Sequence, residues 1–562
     1  MKKYRFIYLL CVLSVLGFTS CDDLLTEKPD SSYKEEDFFT SEGNAQMAIY
    51  GIYNSLATPD HYGQDEMAMP ASDDTYYING TGTDNTRRDI AHYMVKNTNT
   101  WIQSLWVLKY QGIDRASYAI HGIENMAGYK ENKKLIAMAA EARFLRAFLS
   151  FDLVKYWGDV PYKTTYTSGR EDAFQGRVSR EVIYDEIIND LTFAKNNLEW
   201  ADGSSSPERA TQGAARALLM RVYLQRAGYS LQMDGKVTRP DDAKRKEYFE
   251  AVIEEWKAFQ ANPYHDFHKD GYESLFKGFS KGVLNNTESL WEIAFFSPDG
   301  SKGGSGVWGT YNGPAVAAPG IKPTETGAFM GRANAFFRVV PEWKNFFEDQ
   351  DERRDVMVCT YQYKWDAKAY NHKLTENKNG KDWYPGKWRR EWMPIGYKDP
   401  NNTDVNYCVL RYADVVLMAA EAYNETNNTP EAWRLLNTVR ARANATPITS
   451  ANYASLLKAP KVLDLPFISD ADEAGKFRTA LYWERAFELA FEGQRKYDLL
   501  RWGILKEALV LMGNTTSVNK VANPPYPAYK NFVTGKHELF PIPLSELQSN
   551  PLLEGKNNPQ YD

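Results

Sequence analysis

The sequence predicts a mostly α-helical protein that also carries a large loop-rich region with short strands. Residues 131–157 place apolar side chains at i, i+3, i+4 and i+7, which is the spacing of a helix with one buried face. Other helical segments recur in pairs joined by short loops, at a repeat of roughly 30–45 residues that is typical of TPR-like helical hairpins. Residues 261–400 lose this pattern and are rich in glycine, proline, asparagine and aromatic residues. We therefore expect a scaffold of stacked hairpins that carries the loop-rich region.

The chain begins with a cationic stretch and an uncharged apolar run over residues 6–18, followed by two small residues and Cys21. This is the layout of a secretory signal peptide, and the run is shorter than the ~20 residues that a membrane-spanning helix needs. Because the cysteine directly follows the small residues, the segment is similar to a bacterial lipoprotein signal. Residues 1–20 are expected to be removed and Cys21 to be lipidated, with an ordinary secretory signal as the alternative. The polar, acidic residues 21–40 are interpreted as a tether behind the lipid anchor.

Helices dominate residues 41–260. Ser41 is the expected N-cap of the first helix, because apolar residues follow it at helical spacing. Residues 58–100 are rich in glycine, proline and polar side chains, and a loop of this length is often functional. The remaining helices of this region are predicted at 101–127, 131–157, 179–198, 207–228 and 242–260.

The loop-rich residues 261–400 contain an apolar run at 289–296 that is predicted to be a strand. A glycine-rich loop follows at 297–320, and residues 381–392 hold three tryptophans among charged side chains. Helices resume in the C-terminal region, residues 401–562. They are predicted there at 407–425, 429–443 and 472–502.

The composition restricts the partners of the protein. The formal net charge of −6 argues against nucleic acid and against an anionic membrane surface as ligands. Membrane contact is therefore expected through the lipid anchor only. Of the four cysteines, Cys359 and Cys408 lie in the body of the chain, where they could form one disulfide or remain buried free thiols.

Several segments together resemble the SusD/RagB family of outer-membrane nutrient-binding lipoproteins. They are EARFLRAFLSFDLVKYWGDVP at 141–161, LRYADVVLMAAE at 410–421, ERAFELAFEGQRKYDLLRW at 484–502 and the C-terminal FPIPLSEL. The resemblance implies a TPR-like scaffold and a surface-exposed lipoprotein that covers a SusC-like TonB-dependent transporter. It also implies a glycan ligand or, in some relatives, a peptide.

The segment 484–502 carries acids and arginines at spacings of three and four residues, which place them on one helix face. A pair of carboxylates could hydrolyse glycosides, but a buried salt-bridge network is the favoured interpretation. Arg495 lies between Glu492 and Asp498 in sequence and is expected to neutralise both, which lowers their pKa values, whereas a general acid needs a raised one. We therefore predict no enzymatic activity.

Metal and cofactor sites are not predicted. His265, Asp266 and His268 are close in sequence but lack a fourth ligand. The acidic segment 349–355 lacks the glycine of a calcium loop and is interleaved with arginines, so an ion-pair cluster is favoured and a surface calcium is the alternative.

Aromatic residues in polar loops are the predicted ligand contacts, because a sugar ring stacks its C–H face on an aromatic ring and uses its hydroxyls for hydrogen bonds. Tryptophans on helical patterns are predicted to be core residues: Trp106, Trp157, Trp256, Trp433, Trp483 and Trp502. The candidate ligand residues are Trp308, Tyr311, Asn312, Asp74, Tyr76, Tyr77, Asn79, Trp383, Trp388 and Arg389.

The sequence is thus interpreted as that of a cell-surface glycan-binding lipoprotein of the outer membrane, which captures oligosaccharides and passes them to a SusC-like transporter. A peptide-binding, RagB-like protein is the alternative, and a surface glycoside hydrolase is less favoured. The sequence does not specify the glycan or which aromatic loops converge.

Overall fold

The computed structural model describes residues 38–64, 72–78, 82–297, 303–320, 330–394, 401–462, 465, 467–523 and 525–561. The helices of the N-terminal half are α1 (Glu42–Leu56), α2 (Arg87–Ala91), α3 (Thr100–Glu124), α4 (Lys133–Trp157), α5 (Arg180–Asn197), α6 (Gln212–Ala227), α7 (Asp242–Ala261) and α8 (Tyr272–Lys281). Those that follow are α9 (Arg353–Met357), α10 (Tyr412–Glu425), α11 (Thr429–Arg442), α12 (Tyr453–Leu456), α13 (Glu473–Leu489), α14 (Arg495–Arg501), α15 (Leu505–Thr515), α16 (Val518–Val521), α17 (Pro527–Asn531) and α18 (Leu544–Ser549).

The strands are short and pair only in twos within the described residues, always antiparallel. The pairs are β1 (Thr75–Tyr77) with β7 (Phe337–Val339), β2 (Val160–Pro161) with β3 (Arg177–Val178), β4 (Ser230–Leu231) with β5 (Val237–Thr238), β6 (Ser289–Ile293) with β12 (Tyr407–Arg411), β8 (Val358–Cys359) with β11 (Tyr384–Pro385), and β9 (Tyr361–Asp366) with β10 (Asn371–Glu376).

Local sequence signals set the helix ends. The Ser41 side chain accepts a hydrogen bond from the backbone N–H of Asn44 (3.2 Å), which confirms the predicted N-cap. Asn99 and Asn132 cap α3 and α4 in the same way. Gly158 ends α4 at a positive φ of 71°, a conformation that suits a residue without a side chain.

Successive helices pack against each other from α3 to α7, and α10 packs against α7, α11 and α13. One hydrophobic core extends through both halves of the chain and contains all six tryptophans that were predicted as core residues. The predicted fold class, a TPR-like helical scaffold with a loop-rich region of short strands, is therefore confirmed. None of the described helices is long and apolar enough to cross a membrane.

Two predicted helices are wrong in part. Residues 407–411 form strand β12 rather than the start of a helix, because all five are buried and pair with β6 across a long stretch of sequence. The predicted helix 472–502 is two helices, since Phe491 and Gly493 take positive φ angles of 69° and 84° and turn the chain between α13 and α14. Of the two cysteine alternatives, the structure has Cys359 and Cys408 as buried free thiols.

Candidate functional site

The acids of α13 form a buried ion network. Glu488 is fully buried and contacts Arg411 (3.0 Å), Arg353 (3.3 Å) and Arg442. Burial alone would favour the neutral acid, but the surrounding arginines and Lys387 lower the pKa of Glu488 from 4.5 to about 2. The predicted structural network is confirmed, since a general acid would need its pKa shifted in the opposite direction.

The partners within this network differ from those predicted. Arg495 pairs with Asp73 (2.7 Å), from the loop before β1, and forms no ion pair with Glu492 or Asp498 among the described residues. Glu492 is held by Arg411 (2.8 Å), and Asp498 by an arginine of α13. The turn at residues 490–494 separates the two helices, so that spacing along one helix no longer decides which charges meet.

Trp308 was expected to present an exposed ring, and this expectation is wrong. Its side chain is 0% exposed and stacks on Tyr407 with ring centroids 4.6 Å apart and an interplanar angle of 5°. Trp388 packs on it at 5.0 Å and is itself buried, so it presents no free face either. The flanking glycines allow the loop to turn inward, and the large indoles gain most from burial in the core.

Four further predicted contacts are buried and already hydrogen-bonded, so they too are wrong as exposed ligand groups. The reason is the same for each, because a buried polar group must find a partner within the protein. Asn312 accepts a hydrogen bond from the backbone N–H of Gly309 (2.8 Å), and Asp74 accepts one from the hydroxyl of Ser72 (2.6 Å). The Tyr76 hydroxyl donates to the carbonyl of Lys381 (2.7 Å), and Arg389 donates to the carbonyl of Gly386 (2.8 Å).

Asn79 lies outside the described residues. Trp383 is half-buried and donates from Nε1 to the carbonyl of Asn377 (3.4 Å) within its own loop. It is not among the residues that converge on the cluster described next.

Tyr311 and Tyr77 come together around a residue that the sequence did not single out, Arg87. The Arg87 guanidinium lies 4.0 Å from the ring centroid of Phe336 and 5.2 Å from that of Tyr311. Its Nε donates to the Tyr77 hydroxyl (2.9 Å), and the Tyr77 ring stacks parallel to Phe336 at 5.8 Å. Trp101 lies on the other side, with its ring centroid 5.6 Å from the guanidinium. These five residues are called the Arg87 cluster below.

Several aromatic rings of the Arg87 cluster remain partly accessible. Arg87, Trp101, Tyr311 and Phe336 are all half-buried. Tyr77 is buried and already hydrogen-bonded, so its prediction as an exposed ligand contact is wrong. Beside Trp101 lies a cleft of about 160 Å³ lined by hydroxyl, amide and carboxylate groups. Its polar lining residues include Asp60, Gln64, Thr100 and Ser104.

Two loops far apart in sequence are held together behind this site by a close backbone contact. The Val307 N–H donates to the carbonyl of Gly63 (2.8 Å). A Cβ atom on Gly63 would lie 2.6 Å from the carbonyl oxygen of Ser305, so only glycine allows the approach. Loop 58–64 is thereby fixed next to the loop that carries Tyr311.

Sequence reasoning missed Arg87, Trp101 and Phe336. Trp101 lies at the start of the predicted helix 101–127 and was not counted among the ligand contacts. A usable signal was its position at the first turn of α3, directly after a polar loop, since the end of a helix is less enclosed than its middle.

A larger groove of about 420 Å³ lies between α3 and the segment that follows β2. Its main rings belong to Trp106, Tyr110 and Tyr162, and none of the predicted ligand residues lines it. Trp106 is only 4% exposed and packs against Trp157 and Tyr110, so its faces are already covered. The smaller cleft at the Arg87 cluster is therefore the better candidate for stacking.

Within the described residues, no group of three or more histidine, cysteine, aspartate or glutamate side chains is arranged to hold a metal ion. In the acidic segment 349–355, Asp351 pairs with Arg353 (2.7 Å) and Asp355 with Arg354 (2.9 Å), as the ion-pair interpretation expects.

Comparison with known proteins identifies the architecture. A model of the SusD family matches residues 287–561, and a model described as "Starch-binding associating with outer membrane" matches residues 23–224. SusD-like protein P2 of Formosa agariphila is 28% identical over 571 residues, covering 100% of both chains. A SusD-like protein of Bacteroides ovatus is 25% identical over 473 residues, covering 81% of this chain and 79% of that protein.

The solved structures agree with the sequence comparisons. A SusD homolog from Bacteroides thetaiotaomicron superposes with a TM-score of 0.77 at 27% identity, covering 94% of this chain and 98% of the other. A laminarin-binding SusD-like protein gives a TM-score of 0.64 at 23% identity, covering 93% and 100%. Surface glycan-binding protein A from Bacteroides fluxus gives 0.66 at 20%, covering 93% and 100%. Because two family models match the two halves of the chain in order and the fold agrees over nearly the whole length, this protein belongs to the SusD-like family.

Proposed function

We propose that the protein is a non-enzymatic cell-surface lipoprotein that captures oligosaccharides and passes them to a SusC-like TonB-dependent transporter. The observation that carries the binding half of this proposal is the Arg87 cluster, where aromatic rings remain accessible beside a polar cleft. Similar structures that are themselves named as laminarin-binding and glycan-binding support a carbohydrate as the ligand.

The geometry suits a sugar. The C–H face of a pyranose would stack on Trp101, and its hydroxyl groups would meet Asp60, Gln64 and Ser104 in the cleft. An aromatic contact of this kind contributes about 0.5–1.5 kcal/mol beyond the buried area, so several contacts are needed for useful affinity. The cleft is too small for a long chain, which fits a surface that holds one or two sugar units of a larger ligand.

Binding without hydrolysis is supported by the state of the acids. Glu484 and Glu488 of α13 and Glu492 beyond it are buried and paired with arginines, and none of them lines the cleft. Among the described residues that line the cleft, Asp60 is the one carboxylate, whereas hydrolysis of a glycosidic bond requires two.

Delivery to a transporter rests on the family and on the predicted anchor at Cys21, which lies outside the described residues. Acylation of Cys21 would keep the protein at the membrane surface, since a lipoprotein cysteine carries more than one chain. A Cys21→Ala variant is expected to leave the membrane fraction and appear in the soluble fraction. A variant that stays membrane-bound without acyl label would contradict the anchor.

The binding proposal is tested with an oligosaccharide array followed by titration calorimetry on the best ligand. Trp101→Ala is expected to lower affinity about tenfold, which corresponds to the loss of ~1.4 kcal/mol from one stacking face. Tyr370→Ala is the matched control, because Tyr370 is an exposed aromatic at the tip of the β9–β10 hairpin. Binding of peptides but of no oligosaccharide would overturn the proposal in favour of a RagB-like function.

A further inference from the structure

Arg87 has no acidic partner among the residues that the structure describes. Its Nε is used by the Tyr77 hydroxyl, but its two terminal nitrogens make no hydrogen bond and no ion pair with the part of the chain that the structure describes. The guanidinium instead lies over the rings of Phe336, Tyr311 and Trp101. Such contacts hold the group in place without neutralising its charge.

The acids nearest to Arg87 in sequence are already engaged by other groups. Asp84 accepts from the backbone N–H of Thr86 (2.9 Å) and faces Arg88 at 3.9 Å. Asp89 is buried and accepts from the backbone N–H groups of Asp84 (3.0 Å) and Asn85 (2.9 Å). Arg87 and Arg88 are therefore neighbours with different roles, since Arg88 has a carboxylate and Arg87 has none.

The location of the terminal nitrogens of Arg87 matters as much as their charge. Trp101 contributes to both the Arg87 cluster and the polar cleft, so it links the guanidinium to the place where a sugar ring would stack. A planar guanidinium presents parallel N–H groups that match a carboxylate or a sulfate, and such charge-assisted pairs are about twice as strong as neutral hydrogen bonds. Asp60 in the same cleft accepts a hydrogen bond from the Gln64 side chain.

We propose, building on the proposed function, that this site selects acidic oligosaccharides, with a uronate or sulfate group bound by the terminal nitrogens of Arg87 and a sugar ring stacked on Trp101. The anionic group of the ligand would pair with the terminal nitrogens of Arg87, which no described carboxylate contacts. Neutral sugars could still stack, but they would leave the charge of the guanidinium uncompensated.

The test is an array in which each neutral oligosaccharide is paired with a version of the same backbone that carries uronate or sulfate groups. Acidic members are expected to bind at least about tenfold more tightly than their neutral partners. Uronate and sulfate arms are scored separately and show which anion fits. Because exposed charges are screened by salt, the preference should shrink as sodium chloride is raised.

Two variants assign the effect to Arg87. Arg87→Gln is expected to abolish the preference, so that each acidic oligosaccharide binds no more tightly than its neutral partner. Arg88→Gln is the matched control and should keep the preference, because Arg88 already has Asp84 as its partner. Thermal unfolding of both variants verifies that they fold.

Equal binding of acidic and neutral partners would overturn this inference and leave the proposed function standing. Absence of binding to every oligosaccharide on the array would overturn both. A preference that survives Arg87→Gln would also reject the inference, since the anion would then be recognised elsewhere.

Discussion

Two regions of this protein combine arginines with aromatic rings, one as a buried structural network and the other as a candidate ligand site. In the ion network of α13, Arg411 is 2% exposed and reaches Glu288, Glu488 and Glu492. In the Arg87 cluster, the guanidinium is half-buried and surrounded by rings, and no carboxylate of the described residues pairs with it. The difference shows that the partners of an arginine, rather than its presence, distinguish a structural group from a candidate ligand contact.

The two environments have opposite energetic consequences. A buried charge is tolerated only when it is paired, and removal of one partner leaves the other in a low-dielectric interior. A half-buried cation on aromatic rings is stable in water and can accept a ligand anion without first losing a protein partner. Variants in the two regions should therefore separate stability from binding.

The largest effect is expected from Glu488→Ala. This change leaves the buried arginines Arg353, Arg411 and Arg442 with one carboxylate fewer and should lower the free energy of unfolding by about 3–5 kcal/mol. Urea unfolding measures it. Glu431→Ala, which breaks the exposed pair with Arg434, is the control and should cost less than about 1 kcal/mol. Similar losses for both variants would show that the network contributes little.

The buried and accessible tryptophans should behave differently. Trp308→Ala removes an indole stacked on Tyr407 and Trp388 and is expected to cost about 3–5 kcal/mol of stability. Trp101→Ala should cost much less stability but should reduce glycan affinity. Thermal unfolding and calorimetry on both variants provide the comparison. If Trp308→Ala left the melting temperature unchanged, its assignment to the core would be wrong.

The ion network should also respond to acid. Although burial opposes ionisation, the arginines around them lower the pKa of Glu488 from 4.5 and that of Asp414 from 3.8, each to about 2. A depressed pKa means that the unfolded chain takes up protons first, so the stabilisation is present above the unfolded pKa and is lost as pH falls toward 2.

Urea midpoints should therefore fall steeply between about pH 4.5 and pH 2.5. The exposed-pair variant Glu431→Gln should follow the same profile as the unmodified protein, because this carboxylate is not part of the network. A flat stability profile over that range would contradict the buried pairing.

The smallest effect is expected from Tyr311→Ala. Tyr311 meets Phe336 edge-on at 4.7 Å and lies 5.2 Å from the Arg87 guanidinium, so its loss removes one of several rings at the site. We expect a decrease in glycan affinity of about threefold, from the lower end of the energies of aromatic contacts. Tyr311→Phe should bind as the unmodified protein does, and weak binding by this variant would point to the hydroxyl instead of the ring.

Much of the scaffold could be predicted from sequence alone. The caps at Ser41 and Gly158 act within one turn of chain, and the apolar spacing of residues 131–157 was enough to predict helix α4. The prediction of a single buried face was wrong, because every residue from 144 to 157 is buried by neighbouring elements. The errors came where distant segments meet. Residues 407–411 form a strand because β6 lies beside them, and Arg495 binds Asp73 from a loop more than four hundred positions earlier.

The sequence by itself determined the helical scaffold, the resemblance to the SusD/RagB family and the burial of the helix tryptophans, because each depends on periodicity or on local motifs. Only the tertiary structure decided which loop aromatics stay accessible. Trp308 and Trp101 are the same residue type in similarly polar surroundings, and the first is sealed by Tyr407 while the second remains beside a cleft. The physical reason is that the exposure of a ring depends on which distant segments of the chain pack over it, and the local sequence does not predict those contacts.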